Sequence, residues 1–338
     1  LMKTLGLLFS IFIALQANAQ LSDFDHIDFK KADSIALVYK GDDLKNLPEL
    51  SHNLTSNLDS DVERFRAIYI WVCTNVANDY GLYLKNKKKR EKFEDDSLKL
   101  EAWNESFKKK LFSKLRKRKK TICSGYAYLV SELSRLANIN CRMVNGFGRT
   151  STTSIDNFNA PNHSWNAVKL DNKWYLSDPT WASGIVHPFN YGFKFNYNNG
   201  LFLTSPEFFA LTHYPIESKW MFLDNEIPTF QSFLENPILY GKAYKHLSAH
   251  LTPNTLNNTI QKNETITFKY ELIEPIDKEQ ISFIIDNGYN TITTKPKSVV
   301  IDDLSLTLEY QFNKTGYYDT HFLIGENLIV TYTFKVED

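Results

Sequence analysis

The sequence predicts an α+β domain followed by an all-β sandwich, and three observations carry that expectation. Two segments, near residues 60–77 and 122–136, repeat apolar side chains at the three- and four-residue spacing of a buried helix face. Between Ser164 and Asp178, two strand-like runs flank Asp171-Asn172, a pair that tolerates a tight hairpin turn. From Ala243 onward, short β-branched and aromatic runs recur with turn residues about every ten positions, the rhythm of a sandwich.

Residues 1–19 read as an export signal. Lys3 supplies the positive start, Leu5 to Leu15 is apolar, and Ala17-Asn18-Ala19 fits a small-x-small cleavage pattern before Gln20. The apolar stretch is short for a bilayer core of about 30 Å. The expected product is therefore exported, periplasmic or extracellular, with no transmembrane segment in the mature chain. Residues 20–57 are expected as a helical lead-in, clearest from Phe24 to Tyr39.

The α+β domain is expected over residues 58–235. Ser60 with Glu63 forms a capping box for its first helix, and Phe65, Ile68, Tyr69, Val72, Cys73 and Val76 give that helix an apolar face. Residues 85–120 form a charged helical insertion with 16 Lys and Arg against 6 Asp and Glu, whereas the whole chain balances 39 against 39. Leu98, Trp103, Phe107, Leu111 and Leu115 give it a partial apolar stripe. Zero net charge gives no reason to expect nucleic acid. The insertion is either a solvated helix face or a basic arm for an anionic surface or polymer.

A helix follows from Ile122 to Leu136, then a strand over Cys141 to Phe147 and a polar loop at 151–160. Next comes the hairpin, and Ser205-Pro206-Glu207 opens a short helix with a cap residue, a first-turn proline and an acid. Residues 224–242 read as a connector and 243–338 as the sandwich domain. Gly316-Tyr317-Tyr318 resembles the tyrosine-bearing corner of immunoglobulin-like sandwiches.

Three residues carry candidate chemistry: Cys123, His163 and Asp178. A thiol attacks as its thiolate, and an ordinary cysteine, with a pKa of about 8.5, is mostly protonated at neutral pH. At a helix start, the dipole and free N–H groups favour an anion, and the Cys123 N–H can face a developing oxyanion. His163 would serve as base and acid, and Asp178 would hold its tautomer. With a two- or four-residue loop at Asp171-Asn172, residue i faces residue 343 − i, so Asp178 and His163 share a sheet face as diagonal neighbours roughly 7–8 Å apart at the backbone. A three-residue loop would separate them to opposite faces.

Three cysteines cannot all pair; Cys73 and Cys141 either form a disulfide or stay reduced in the core. His246 and His250 have an HxxxH spacing without the glutamate of a zinc-protease motif, so no metal or other cofactor is expected. His187 is expected at the surface and His213 at a turn before Tyr214-Pro215. Trp71, Ser124, Trp165 and Trp181 are the candidates to line a substrate cleft.

Cys123-Ser124-Gly125-Tyr126-Ala127, His163-Ser164-Trp165-Asn166 and Asp178-Pro179-Thr180-Trp181 together resemble the core of the transglutaminase-like superfamily. Ile68-Tyr69-Ile70-Trp71-Val72 is similar to its first core helix. Phe202-Leu203-Thr204, Pro206-Glu207-Phe208 and His213-Tyr214-Pro215 resemble the kyphoscoliosis-peptidase branch. The resemblance implies a papain-like core with a Cys-bearing helix on an antiparallel sheet, Cys123 as nucleophile, His163 as base and Asp178 as orienting acid. It implies a protein or peptide substrate. The leading expectation is an exported thiol hydrolase acting on a peptide or other amide bond. Protein cross-linking or acyl transfer by the same triad, or a non-catalytic protein-binding module, are the alternatives. The charged stretch 85–120 departs from the family pattern in its length.

Overall fold

Local side-chain caps open the helices that begin at Leu47, Asp61, Tyr80, Ser97 and Pro179 in the first half of the chain. The structure, a computed structural model, describes residues 20–153, 160–187, 189–224 and 226–338. The expected export signal at 1–19, and much of the polar loop at 151–160, lie outside the described residues. The lead-in is three pieces: a 3₁₀ turn (Leu21–Phe24), α1 (Lys30–Val38) and α2 (Leu47–Thr55). Asp28 restarts the chain as helix by accepting from the Lys30 N–H at 3.0 Å, and Asn46 caps α2. The capping box at Ser60 and Glu63 opens α3 (Asp61–Asn75), which is buried on nearly every side.

β1 (Ala77–Asn78) leads into α4 (Tyr80–Lys92) and α5 (Ser97–Arg118), and the chain returns through β2 (Lys120–Thr121). Glu94, Asp95 and Asp96 lie in the turn between the helices, with Asp96 capping α5 through the Lys99 N–H at 3.0 Å. Phe107, Leu111 and Leu115 are buried, while Leu98 is 78% exposed. β1 and β2 pair in parallel, Ala77 with Lys120 and Asn78 with Thr121. This clamp brings the ends of the helical pair together, so residue 123 is placed independently of the insertion's length.

α6 (Cys123–Leu136) crosses a sheet of β3 (Asn140–Gly148), β4 (His163–Leu170) and β5 (Lys173–Ser177). The hairpin register is the expected one: Asn166 faces Ser177 and Leu170 faces Lys173. Asp171 and Asn172 both take positive φ, 46° and 66°, as a two-residue primed turn requires. Then come α7 (Pro179–Ser183) and a small hairpin of β6 (Gly184–Val186) and β7 (Phe193–Phe195). α8 (Pro206–Ala210) and β8 (His213–Pro215) complete the first half. The hydroxyl of Ser205 does not cap α8; it donates to the Ser248 carbonyl instead. β8 adds to the free edge of β3, giving the order β5-β4-β3-β8. His213, expected at a turn, is therefore on a strand.

The connector is more structured than expected, with α9 (Phe230–Glu235) and β9 (Ile238–Leu239), which already pairs with the sandwich. α10 (Ala243–His246) precedes β10 (Leu247–Thr252), β11 (Asn257–Gln261), β12 (Thr265–Leu272), β13 (Ile281–Asp286) and β14 (Thr291–Thr294). β15 (Ser298–Asp302), β16 (Ser305–Gln311), β17 (Gly316–Ile324) and β18 (Asn327–Glu337) follow. One sheet runs β10-β12-β16-β15, the other β11-β18-β17-β13-β14 with β9 beside β18. Alternate residues such as Phe268, Tyr270, Phe283 and Phe322 face inward and are fully enclosed. The Tyr318 hydroxyl donates back to the Lys314 carbonyl at 3.1 Å, the tie of a tyrosine corner. No described helix is long and apolar enough to cross a membrane.

Candidate active site

Cys123 is the first residue of α6, behind the extended residue Ile122, whose side chain makes no cap. The helix's positive end therefore faces the thiol. Gly125 must lack a side chain, because a Cβ there would collide with Thr121 on β2. His163 opens β4. A Cβ on Gly148 would lie 3.0 Å from both His163 and Trp181, so the bare glycine makes room for the two stacked rings. Asn162, just before His163, clips onto the Gly148 backbone at 2.7 and 3.0 Å.

Asp178 lies one residue past β5 and is fully buried. Its Oδ1 caps α7, accepting from the Thr180 and Trp181 N–H groups at 2.8 and 3.2 Å. Its Oδ2 is 2.8 Å from His163 Nε2 and 3.2 Å from His213 Nε2. Burial opposes the charged form of His163, but the Asp178 carboxylate outweighs it and Cys123 adds to the effect, lifting His163 to about 10. Burial likewise opposes ionisation of Asp178, yet His163 and then His213 hold it well below the usual carboxylate range. His213 goes the other way. Desolvation lowers it to about 4 despite the same carboxylate, helped by repulsion from His163. One anion thus supports one imidazolium and one neutral imidazole.

The sequence profile of the Transglutaminase-like superfamily matches residues 48–179. Human "Kyphoscoliosis peptidase" is 31% identical over 232 residues, covering 66% of this chain and 31% of the relative. The chain carries a transglutaminase-like domain of the kyphoscoliosis-peptidase type. Fly "Hillarin" is 22% identical over 236 residues (66% of this chain, 26% of its own), and the nematode "Lim and transglutaminase domain protein ltd-1" 22% over 285 (78% and 36%). This chain thus spans about a third of the length of the curated relatives it matches. A solved Lin-41 filamin domain matches over 25% of this chain and 88% of its own, with 10% identity and a TM-score of 0.21. The sandwich stands on its own strand pairing.

The transglutaminase-like domain brings Cys123, His163 and Asp178 together, and the cleft candidates divide. Trp181 is partly exposed and stacks on His163, centroids 4.7 Å apart. Ser124 is partly exposed beside Cys123. Trp165 is beneath the site, 1% exposed and edge-on to His213 at 5.1 Å. Trp71 is elsewhere: fully buried, it donates its indole N–H to the Tyr39 carbonyl at 2.7 Å. Neither Trp165 nor Trp71 lines an open cleft. His187 is exposed.

Sequence reasoning missed two residues of this domain. His213 reaches the site only because β8 joins β3, although His213-Tyr214-Pro215 was visible as a motif. Tyr83, on α4, is raised to about 12 by burial and then by Cys123, so it lies within electrostatic range of the thiol. Its ring stacks on Tyr80, which meets Tyr191 at 5.3 Å. Cys73 and Cys141 are both free and buried, so they form no disulfide. His163, Asp178 and His213 offer ligand atoms within 4.8 Å of one another, a spacing a metal ion could use. Each of those atoms is already engaged in the hydrogen bonds to Asp178 Oδ2, and the cluster reads as hydrogen-bonded.

Proposed function

We propose that this chain is an exported thiol hydrolase that cleaves a peptide or other amide bond through an acyl-enzyme on Cys123. The observation that carries the reading is the hydrogen-bonded line from a helix-start thiol through a buried imidazole to a capped carboxylate. His163 uses Nε2 on Asp178, which leaves Nδ1 for the thiol. His163 already holds the Cys123 proton as an imidazolium, and Sγ attacks the carbonyl carbon while the π pair moves to oxygen. The Cys123 N–H at the helix start supports that oxyanion. The C–N bond then breaks as His163 returns the proton to the leaving amine. Water, deprotonated by His163, attacks the thioester; the C–S bond breaks, the acid leaves and the thiol is restored.

Iodoacetamide labelling across pH, with mapping, tests this reading. Cys123 is expected to label rapidly at or below neutral pH and to lose that rate in His163→Ala. Labelling at the rate of an ordinary thiol sinks it in favour of a binding module. With a protein substrate and an added amine, new N-termini support hydrolysis, whereas amine incorporation without them supports cross-linking or acyl transfer. The exposed lysines of α5, such as Lys108, Lys109 and Lys110, extend the proposal to an anionic surface or polymer near the cleft. Binding of such a polymer should weaken steeply with salt.

A further inference from the structure

Tyr244 belongs to α10, the helix that leads into the sandwich, yet its hydroxyl hydrogen-bonds Thr212 Oγ1. Thr212 Oγ1 is 2.9 Å from His213 Nδ1, and His213 Nε2 is 3.2 Å from Asp178 Oδ2. All four side chains are at most 3% exposed. We infer that Tyr244 and Thr212 form a tautomer lock: they hold His213 with its proton on Nε2, and His213 in turn positions the Asp178 carboxylate under His163. The lock's catalytic consequence rests on the thiol-enzyme reading.

Donor and acceptor roles dictate the tautomer. An ionised carboxylate only accepts, so His213 must present an N–H from Nε2. A neutral imidazole then has a bare Nδ1 that needs a donor. Two groups compete for it: the Thr212 hydroxyl, which can donate, and the Phe209 carbonyl at 3.3 Å, which can only accept and so favours the opposite tautomer. The Tyr244 hydroxyl has two acceptors, the Phe208 carbonyl at 3.4 Å and the nearer Thr212 Oγ1; donating to the nearer one leaves the Thr212 proton to point at Nδ1. Turned the other way, His213 would aim a lone pair at Oδ2, and the carboxylate would have to swing away from His163 or take up a proton.

The groups facing this cluster are Cys123, Cys73, Tyr69, Tyr126 and Tyr244, besides the two histidines. Burial pushes Cys73 and the three phenols upward, so they stay neutral near neutral pH. The histidines, Asp178 and Cys123 therefore set the local charge. α10 also grips Asp178 through the backbone. The Tyr244 carbonyl packs where a side chain on Gly200 would collide with it, and the neighbouring Leu201 carbonyl accepts the Asp178 N–H at 3.0 Å. The element that starts the sandwich thus acts on the triad from two sides, as a positioning device.

The test uses the full chain with Thr212→Val, which keeps the shape and removes the donor, alone and combined with His213→Gln. Nitrogen NMR of His213 should show the proton on Nε2 in the wild type and on Nδ1 in T212V. Labelling of Cys123 at about pH 6 should fall about tenfold in T212V, because a displaced His163 imidazolium supports the thiolate less. In the H213Q background T212V should cause no further loss, because an amide has no tautomer to set. A wild-type His213 protonated on Nδ1, or an equal T212V effect in both backgrounds, overturns the inference. If T212V does not fold, Tyr244→Phe gives the same two readouts in the same direction. Slow labelling of the wild type would remove the thiol-enzyme reading, while the NMR spectrum would still decide whether the lock exists.

Discussion

His163 in the transglutaminase-like half is buried and His250 in the sandwich half-buried; both hydrogen-bond through Nε2, and they end in opposite charge states. His250 Nε2 is 2.7 Å from the Tyr332 hydroxyl, which is 2.8 Å from that of Tyr270. Among the described residues no acidic side chain hydrogen-bonds His250, and burial pushes it down to about 4. His163 is lifted to about 10 because Asp178 sits 2.8 Å away. A buried histidine becomes a charged base only where a carboxylate is already held for it. Here the α7 cap aims Asp178, and His163 and His213 keep it ionised. His213 sharpens the point: on the same carboxylate, but second in line, it behaves like His250.

The largest effect should come from Asp178→Ala, which turns His163 into a second His250. It also strands the Thr180 and Trp181 N–H groups. Removing one partner of a buried pair costs about 3–5 kcal/mol. Chemical denaturation should show that loss, and NMR titration should show His163 neutral at pH 7. An imidazolium that persists in D178A would break the comparison.

The pH dependence of stability comes next. His163 is raised in the folded state from 6.5 to about 10, so its stabilisation is complete below about 6.5 and is lost as pH rises towards 10. Asp178 is lowered from 3.8, so its share is present above that value and is lost as pH falls below it. Denaturation midpoints should decline on the alkaline side, by at most about 1.4 kcal/mol per pH unit for one proton. D178A should abolish that alkaline decline.

How far the sequence spoke depended on whether placement was local. The primed turn at Asp171-Asn172 sets its own register, so the approach of Asp178 to His163 followed from counting residues. The capping box at Ser60 and the helix start at Cys123 are equally local. His213 was not legible because β8 is three residues long and finds β3 only through the tertiary fold. Tyr83 comes within electrostatic range of the thiol with the help of the β1–β2 clamp, which no nearby residue announces. Trp71 was misplaced for another reason. α3 is buried all round, so its periodicity gave no direction in which to aim the indole.

Gly148→Ala and Gly241→Ala compare the site with the connector by packing. A Cβ at 148 meets His163 and Trp181 at 3.0 Å, whereas at 241 it meets nothing within 4 Å. Overpacking at 148 should cost about 1–3 kcal/mol and slow Cys123 labelling by displacing the imidazole. The change at 241 should stay within about 0.5 kcal/mol and leave labelling alone. Equal costs at the two positions would mean that the ring stack at 148 yields freely.

On the sandwich side a small effect is expected from His250→Phe. Tyr332 loses one hydrogen-bond partner but keeps Tyr270, and the new ring can occupy the place of one that packs against both tyrosines. The cost should be about 1 kcal/mol, with Cys123 labelling unchanged. Its signature lies on the acid side. His250 is lowered from 6.5 to about 4 when folded, so the unfolded chain binds a proton that the folded chain refuses as pH falls through that range. H250F should therefore flatten part of the stability loss between about pH 6.5 and 4, leaving the share due to His213, and should not touch the alkaline limb. D178A and H250F would then act on opposite limbs of one curve, because the same side chain does opposite work with and without a carboxylate.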